Sequence, residues 1–378
     1  MHNARPLDGI VVVELGHSVA APYAGLILAD LGARIVKIEN PEHGDYARGW
    51  GPPFWGDTSS SFASLNRGKE SVTVDFADPE QAAELRRFIL EHADGVIQNL
   101  RPGILEKYGL SAEFFCEEKP SIIWCDIGAF GAKGPMSRKP GYDPLVQAST
   151  GIMSVTGEGN RPPVRVGISI VDMGSGMWAV IGFLASLVAR GNTKEGAHVS
   201  TSLFETGLAW MTIPLAGYEA AADVRKPFGS GVAEIVPYQA FETRDGWLMI
   251  AAGNDNLFRK LCDVLKRPDL AREKDFAANS GRVVNRDRLV PIVAAEVAKF
   301  GFDELGDLLD AVGVPNAPLL SVDEVARHPQ AKALEMTVEC DDALSLVTIP
   351  ISLDGKRPRT ARRAPKLGEH NDAYKGVS

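Results

Sequence analysis

Long apolar runs, paired cysteines and an excess of positive charge are all missing from this chain of 378 residues. The most apolar stretch, from Met177 to Val188, is shorter than the roughly 20 residues of a membrane-spanning helix. The N-terminus lacks the apolar segment of a signal peptide. Four scattered cysteines form no CxxC pair, which is typical of reduced thiols. The reduced thiols indicate a cytoplasmic protein, and the short apolar stretch argues against a membrane as partner. The formal net charge of −9 argues against a nucleic acid as partner.

Several catalytic motifs are also missing. The turn after the first predicted strand, Gly16 to Pro22, lacks GxGxxG, which argues against a bound dinucleotide. The chain has no GxSxG motif and no Walker loop. Its histidines form no HxH or HxxxH pair, so no metal site is predicted. His17 is the histidine best placed to contact a ligand, although packed or capping histidines are more common at such positions.

Apolar strands alternate with helices over the first half of the chain, which predicts an α/β fold with a parallel sheet. The strands are continuously apolar, as in a sheet covered on both faces. After Asp223 the pattern changes to a hairpin around Arg244–Gly246 and then to amphipathic helices, which indicates a smaller α+β region. The main strands are predicted at Gly9–Leu15, Ala33–Glu39, Ser71–Phe76, Val96–Leu100 and Ile122–Ile127. Asp78, Pro79 and Gln81 predict an N-cap, a first-turn proline and a capping-box partner for a helix that runs to about Ala93.

Asp172 is the residue with the most specific setting. It stands between the segment from Arg165 to Val171 and the apolar run that starts at Met177, a pattern that predicts a strand, a turn and a helix start. A carboxylate at such a position is either a helix N-cap or a nucleophile. The flanking glycines would let a bulky ligand approach the backbone.

Three polar loops are candidate ligand sites: Asn66–Lys69, Asn99–Gly103 and Gly128–Pro135. The last two follow strands, where open α/β sheets bind their ligands. Arg67, Lys69 and Arg101 carry charges that can hold phosphates, although single cations are more often solvated at a surface.

Together these segments resemble the family III CoA-transferases, a group that includes formyl-CoA transferase, carnitine CoA-transferases and alpha-methylacyl-CoA racemase. The similar motifs occur in order along almost the whole chain. They are Pro6–Ile10, Ala33–Glu39, Gly44–Asp45, Asn66–Lys69, Asn99–Gly103, Gly141–Asp143, Gly151–Gly157, Arg165–Gly176, Pro237–Tyr238, Asp245–Gly246 and Gly368–His370.

The resemblance implies a fold and an assembly. A large Rossmann-like parallel-sheet domain is expected from both chain ends, residues 1–222 and 318–378, with a smaller α+β domain over residues 223–317. Two chains are expected to interlock as a homodimer. Each active site would then lie between the large domain of one subunit and the small domain of the other.

The resemblance also implies the chemistry. Asp172 would attack an acyl-CoA thioester, and no cofactor would be permanently bound. An acyl-aspartyl anhydride and then an aspartyl-CoA thioester would follow. The implied CoA contacts are Arg67, Lys69, Asn99, Leu100, Arg101, Lys107, Arg138 and Lys139. The candidates for the pocket of the carboxylic acid are His17, Val19, Arg48, Tyr142 and Asp255.

Departures from the family pattern separate the possible activities. Val19 stands where formyl-CoA transferase has a catalytic glutamine, which argues against a formyl or oxalate substrate. The racemase uses a His-Asp pair where this chain has Tyr142 and Asp143. A tyrosine, with an ordinary pKa of about 10, is a poor base at neutral pH. These residues favour CoA transfer over 2-methylacyl-CoA racemisation by α-proton exchange. The resemblance, through the donor that is prevalent in the family, implies succinyl-CoA as the donor. A non-catalytic acyl-CoA-binding protein is the third alternative.

Overall fold

The structure is a computed structural model that describes residues 5–375, and these form two compact units. The first unit runs to Ile152, resumes over Val166–Ala221 and continues from Pro329. The second unit comprises Met153–Arg165 and Ala222–His328. Both chain ends therefore contribute to the first unit. The smaller unit is larger than the predicted residues 223–317, because residues 153–165, residue 222 and residues 318–328 belong to it as well.

Within residues 5–375, the first unit contains a six-stranded parallel sheet with the order β5-β2-β1-β6-β7-β8. The strand order reverses between β1 and β6, and open α/β sheets bind ligands at the carboxyl ends of the strands beside such a reversal. Strands β3 and β4 form a separate hairpin. The strands are β1 Val11–Leu15, β2 Arg34–Glu39, β3 Phe54–Trp55, β4 Thr58–Ser59, β5 Glu70–Thr73, β6 Gly95–Gln98, β7 Ile123–Gly128 and β8 Ala197–Ser202.

Helices cover both faces of this sheet. The predicted cap of α3 is confirmed, because the Asp78 side chain accepts hydrogen bonds from the amides of Glu80 and Gln81 and Pro79 opens the helix. A short 3₁₀ helix spans Tyr46–Gly49. The α-helices up to residue 221 are α1 Ala20–Asp30, α2 Ser60–Asn66, α3 Pro79–His92, α4 Ile104–Lys107, α5 Ala112–Glu118, α6 Asp143–Ser149, α7 Ile152–Val155, α8 Ile170–Thr193, α9 Leu203–Trp210 and α10 Thr212–Ala221.

Helix α8 has 24 residues and a mean hydropathy of 1.6 over its apolar window, so by length and composition alone it could cross a membrane. The expectation that this segment is too short to span a membrane was wrong, because the helix starts before Met177 and ends after Val188. In the first unit it packs on the sheet. Ala179 and Phe183 are fully buried, and the Cys125 thiol of β7 lies 3.9 Å from the Ala179 carbonyl oxygen. These contacts are typical of a core helix.

A buried ionic network lies between β1, β2 and α1. The Lys37 ammonium is 2.8 Å from carboxylate oxygens of both Glu14 and Asp45, and the Lys69 ammonium is 2.7 Å from the other Glu14 oxygen. These side chains are at most 1% exposed. Buried charges of this kind are tolerated only when each has a partner, so the network ties the first two strands to the turn that precedes α1.

The second unit is built around a three-stranded antiparallel sheet with the order β11-β10-β9. The predicted hairpin joins β9 to β10, and in its turn the Thr243 amide donates to the Gly246 carbonyl. The Leu319 amide donates to the Trp247 carbonyl, and the Gly229 amide donates to the Gly157 carbonyl. These bonds explain why both added segments belong to this unit. Its elements are β9 Tyr238–Glu242, β10 Trp247–Ala251 and β11 Asn316–Pro318, with α11 Asp255–Val264, α12 Pro268–Arg272, α13 Asn279–Val284, α14 Arg286–Val297, α15 Phe302–Val312 and α16 Val322–Arg327.

The C-terminal segment returns to the first unit and covers the edge of its sheet. The Gly368 amide donates to the Ser71 hydroxyl at 3.0 Å, and the Thr73 amide of β5 donates to the Asn371 side chain at 2.9 Å. The elements of this segment are α17 Pro329–Ala333, β12 Thr337–Glu339, β13 Ser345–Val347 and α18 Asn371–Lys375.

Candidate active site

Asp172 lies in the first turn of α8, as its third residue. The predicted strand before it was wrong, because residues 162–169 form no strand. Of the two alternatives for Asp172, the N-cap does not apply, because Ser169 is the N-cap of this helix. Within residues 5–375, no hydrogen-bond donor contacts the Asp172 carboxylate. Its position in the first turn is favourable for a negative charge, because the amide ends of the helix point there. The carboxylate is therefore held by the helix but left without an internal partner.

Asp143 takes the capping role from another helix. Its Oδ2 accepts hydrogen bonds from the amides of Val171 and Asp172, at 2.7 and 3.1 Å, and its side chain is buried. Its Oδ1 accepts a bond from the Gln147 amide nitrogen, and the Gln147 oxygen accepts from the Val166 amide at 2.8 Å. These bonds join α6, α8 and the segment before α8. The backbone at Asp172 is thus held from two sides.

The same arrangement changes the acidity of Asp172. Burial, and then the negative charge of Asp143, raise the pKa of Asp172 to about 7. The carboxylate form, which is the nucleophilic one, is therefore present in a substantial fraction near neutral pH. A carboxylate of raised pKa is also more basic than an ordinary aspartate, which is typical of functional sites.

Gly176 brings α8 against the start of α1. A Cβ at this position would lie 2.6 Å from the Ala20 carbonyl oxygen and 3.2 Å from the Ala24 nitrogen, so only glycine allows this approach. Asp172 precedes Gly176 by one helical turn, a rise of about 6 Å. Both helices begin at the carboxyl edge of the sheet. Asp172 therefore lies beside the turn between β1 and α1.

Three of the predicted residues form that turn and its support. The His17 amide donates to the Asn99 side-chain oxygen at 3.0 Å, and the Asn99 nitrogen donates back to the His17 carbonyl at 2.9 Å. Val19 is buried and precedes α1. Because His17 follows β1 and Asn99 follows β6, these bonds lie where the strand order reverses. The structure thus brings His17, Val19 and Asn99 together near Asp172.

Near neutral pH the His17 ring is uncharged, so it cannot form an ion pair with a carboxylate substrate. Burial lowers the pKa of His17, and the attraction of Asp45 does not offset it. Its Nδ1 lies 2.9 Å from the Ser18 hydroxyl, and its edge contacts the Tyr46 ring. The neutral imidazole can offer one hydrogen bond to a substrate but no full charge.

The prediction that Arg67 and Lys69 hold the phosphates of CoA is corrected by the structure. Both side chains are fully buried. The Arg67 guanidinium makes two bonds to the Asp30 carboxylate, at 2.5 and 2.6 Å, and the Lys69 ammonium is bonded to Glu14 and to the Pro22 carbonyl. Since these charges already have buried partners, their role is in holding the fold.

Arg48 is also paired inside the first unit. Its guanidinium bonds the Glu39 carboxylate at 2.6 and 2.8 Å, so its assignment to the pocket of the acid is replaced by a structural role. Asp255 lies in the second unit as the first residue of α11. Its half-exposed carboxylate is 2.8 Å from the buried Arg282 guanidinium. Asp255 therefore shares its charge with an internal partner.

The remaining candidates lie at the carboxyl edge of the sheet, and all of them except the partly buried Leu100 are exposed. Leu100 and Arg101 follow β6, and Lys107 ends the short helix α4. Arg138, Lys139 and Tyr142 lie between β7 and α6. Because β6 and β7 are neighbouring parallel strands, their following loops lie on the same side of the sheet. Contact of these residues with CoA stays a prediction.

Asp143 and Gln147 are the functional candidates that sequence reasoning missed. The motif Gly141–Asp143 drew attention to Tyr142, which is 57% exposed, and not to its buried neighbour. One signal was available, because an Asp-Pro pair opens a helix and Gln147 follows one turn later on the same face. Nothing local, however, predicts that Asp143 caps a helix 28 residues further along the chain.

Known proteins are similar to this chain over almost its whole length. The family described as CoA-transferase family III matches residues 7–371. The succinate–glutarate CoA-transferase of Agrobacterium fabrum is 36% identical over 97% of this chain and 94% of its own length. The acetyl-CoA:oxalate CoA-transferase of Acetobacter aceti is 35% identical over 98% of this chain and 95% of its own length. The crystal structure of a CAIB/BAIF family protein from Brucella suis has a TM-score of 0.90 at 36% identity, over 99% of this chain and all of that one. The chain belongs to CoA-transferase family III, and it is an enzyme that transfers coenzyme A.

Proposed function

We propose that this enzyme moves CoA from succinyl-CoA to a second carboxylic acid through covalent intermediates on Asp172. The observation that carries the proposal is the Asp172 carboxylate itself, unpartnered within residues 5–375, with a pKa of about 7 and beside the turn between β1 and α1. A nucleophilic carboxylate needs a lone pair that no internal donor occupies.

The first half of the reaction releases the donor acid. An Asp172 oxygen attacks the thioester carbonyl carbon, the C–S bond breaks, and the CoA thiolate leaves with the electron pair. The product is an acyl-aspartyl anhydride. The thiolate then attacks the aspartyl carbonyl, which releases the donor carboxylate and leaves an aspartyl-CoA thioester. Backbone amides at the start of α8 are suited to stabilise the oxyanions.

The second half repeats these steps in reverse. The acceptor carboxylate attacks the aspartyl thioester, expels the CoA thiolate and forms a new anhydride. The thiolate attacks the acceptor's acyl carbon, and Asp172 leaves as a free carboxylate with the new acyl-CoA. Each step exchanges acyl groups of similar energy. The reaction therefore consumes no ATP and involves no permanently bound cofactor.

We propose a dicarboxylic acid as the acceptor. Succinate, glutarate and oxalate, which appear in the names of the two relatives, are all dicarboxylic acids. Val19 leaves no side-chain amide in the turn before α1, and the His17 ring is neutral, so the turn itself offers little to a very short acid. A five-carbon acid such as glutarate is therefore preferred over oxalate in this proposal.

The exposed cations at the carboxyl edge are proposed to bind the CoA phosphates. Arg101, Lys107, Arg138 and Lys139 follow two neighbouring strands and are exposed to solvent. Arginine and lysine at such positions are common phosphate contacts. Asn99 and Leu100 are proposed to lie along the thioester end of CoA, since Asn99 is bonded to His17 in the turn beside Asp172.

We further propose a homodimer, interlocked as in the family that this chain resembles. Apolar side chains on α8, α9 and α10 are exposed in the single chain. Exposed apolar side chains that cluster on one surface often mark an interface between proteins, so a second copy is the proposed cover. These side chains are Trp178, Ile181, Trp210, Ile213 and Tyr218.

Mass spectrometry of the intact protein tests the covalent step. The protein is incubated with succinyl-CoA, acetyl-CoA and a 2-methylacyl-CoA, trapped with hydroxylamine and mapped by peptides. A hydroxamate on Asp172 is expected with succinyl-CoA, and no adduct is expected in Asp172→Asn. Absence of any adduct in the wild type, together with α-proton exchange in the 2-methylacyl-CoA, would replace this proposal with racemisation.

A further inference from the structure

A second polar cluster lies on the face of the sheet opposite α8. Its members are Gln98 on β6, Trp124 and Asp126 on β7, and His198 on β8. Cys125 contacts α8, so its neighbours Trp124 and Asp126 point to the other face, where Trp124 packs in the core beneath α5. No step proposed for Asp172 uses these side chains.

The Asp126 carboxylate is the centre of the cluster. Its Oδ1 accepts hydrogen bonds from the Gln98 amide nitrogen at 2.7 Å and from the Trp124 indole nitrogen at 2.6 Å. Its Oδ2 is 2.7 Å from the His198 Nε2. Burial opposes the charged form, but the His198, Gln98 and Trp124 bonds hold the pKa of Asp126 below its ordinary value. Asp126 is therefore a carboxylate at neutral pH.

This carboxylate determines which way the Gln98 amide faces. An ionised carboxylate only accepts hydrogen bonds, so the amide nitrogen of Gln98 must face Asp126. The Gln98 oxygen then faces the Leu100 amide, from which it accepts a bond at 2.6 Å. Both partners require the same orientation. The link from Asp126 through Gln98 to the Leu100 backbone thus has one stable arrangement.

The Leu100 amide belongs to the turn of residues 99–103, which leads from β6 to α4. On one side of this turn, Asn99 is bonded to His17 beside the Asp172 site. On the other side, a small cavity of about 50 Å³ is lined by Arg101 and by Gln98 and Asp126 of the polar cluster. The turn is therefore held at two points, one within the candidate active site and one in the cluster.

We propose that Gln98 and Asp126 are positioning residues for CoA: by holding the Leu100 amide, they keep the turn of residues 99–103 in the shape that receives the coenzyme. This inference rests on the proposed function, in which CoA lies against that turn. Neither side chain needs to touch the reacting atoms. Their loss should weaken the binding of the acyl-CoA and leave the chemistry on Asp172 unchanged.

Steady-state kinetics of Gln98→Met test the inference. Methionine has a similar length and makes no bond to Leu100. The KM for the acyl-CoA is expected to rise about five-fold, the equivalent of one lost hydrogen bond of about 1 kcal/mol. The kcat and the KM for the acceptor acid should stay within about two-fold, since the chemistry is not touched. Hydrogen exchange of the Leu100 amide, measured in a peptide that spans residues 96–104, should become faster.

Two further comparisons separate positioning from a general loss of structure. In Asp126→Asn the side-chain oxygen can still accept from Gln98, so the KM should stay near that of the wild type, whereas Asp126→Leu should reproduce the effect of Gln98→Met. His198→Phe removes one partner of Asp126 but leaves the link to Leu100, and it serves as the matched control. An equal rise in KM in Asp126→Asn and Asp126→Leu contradicts the inference.

Failure of the inference and failure of the proposed function give different results. An unchanged acyl-CoA KM in Gln98→Met and Asp126→Leu, with an active wild type, overturns the positioning role alone. If the wild type transfers no CoA, the proposed function fails. Calorimetric titration with free CoA then still compares the variants, and equal affinity for wild type and Gln98→Met overturns the inference.

Discussion

Asp143→Asn is the substitution that tests how the structure sets the reactivity of Asp172. The asparagine oxygen can still accept from the amides of Val171 and Asp172, so the start of α8 keeps its cap. The negative charge next to Asp172 disappears. Since that charge is the second cause of the raised pKa, after burial, the pKa of Asp172 must fall from about 7 but stay above its ordinary value.

The size of the effect follows from the titration. A neighbouring charge typically moves a carboxyl pKa by about 1, which would bring that of Asp172 to about 6 in the variant. At pH 6 the carboxylate fraction would then rise from about one tenth to about one half. The kcat/KM at pH 6, expressed as a fraction of its plateau at high pH, should therefore be about five-fold larger in the variant than in the wild type. The measurement is the pH profile of kcat/KM from pH 5 to 9, which reports the pKa of the free enzyme.

The variant also carries a cost in stability. Its amide nitrogen faces the Gln147 nitrogen, and Gln147 cannot turn because its oxygen holds the Val166 amide. One buried bond is lost, worth about 1 kcal/mol, so the assay temperature must lie well below the lower Tm. Glu117→Gln, an exposed change on α5, controls for the loss of one negative charge. A profile whose midpoint stays at the wild-type pH, or moves to higher pH, would refute the reasoning.

Three other substitutions test separate parts of the structure. Asp172→Asn should abolish transfer. It should also raise the free energy of unfolding at pH 8 by up to about 4 kcal/mol, because a carboxyl whose pKa is raised to about 7 in the folded protein contributes less stability as the pH rises through that value. Denaturation at pH 4 should show almost no difference between the variant and the wild type. Arg67→Met should lower the free energy of unfolding by about 3–5 kcal/mol by leaving the buried Asp30 charge unpaired. Adding Asp30→Leu should restore only part of it in denaturant titrations, because the Asp30 carboxylate also accepts from the Thr360 amide. Gly176→Ala should lower the free energy of unfolding by more than about 2 kcal/mol and reduce kcat, because the added Cβ meets the first carbonyl of α1. Gly191→Ala, which lies in open space on the same helix, should raise the free energy of unfolding by about 0.5–1 kcal/mol. Equal effects of the two substitutions on Tm would contradict the close packing at Gly176.

Local signals in the sequence predicted the elements that depend on neighbours in the chain. The cap of α3 at Asp78 and the hairpin between Glu242 and Trp247 are confirmed, because a cap or a two-strand turn is decided by a few consecutive residues. The continuous apolar strands predicted a sheet covered on both faces, which the structure contains. Whole-chain motif order also indicated the family that the comparisons show.

The role of a charged side chain depended on partners that are far away in sequence. Arg67 and Lys69 stand in a polar loop that looks exposed, yet Asp30 and Glu14 meet them in the interior. A sequence pattern does not distinguish a buried paired cation from a phosphate contact, because both require the same residue type.

By itself, the sequence determined the α/β class, the family and the candidate nucleophile Asp172. Only the tertiary structure decided that Asp172 stands inside the first turn of α8 and that Asp143 both caps that helix and raises the pKa of its neighbour. The physical reason is that burial and the distance between two carboxylates are properties of packed helices, and α6 and α8 meet only after the chain has folded.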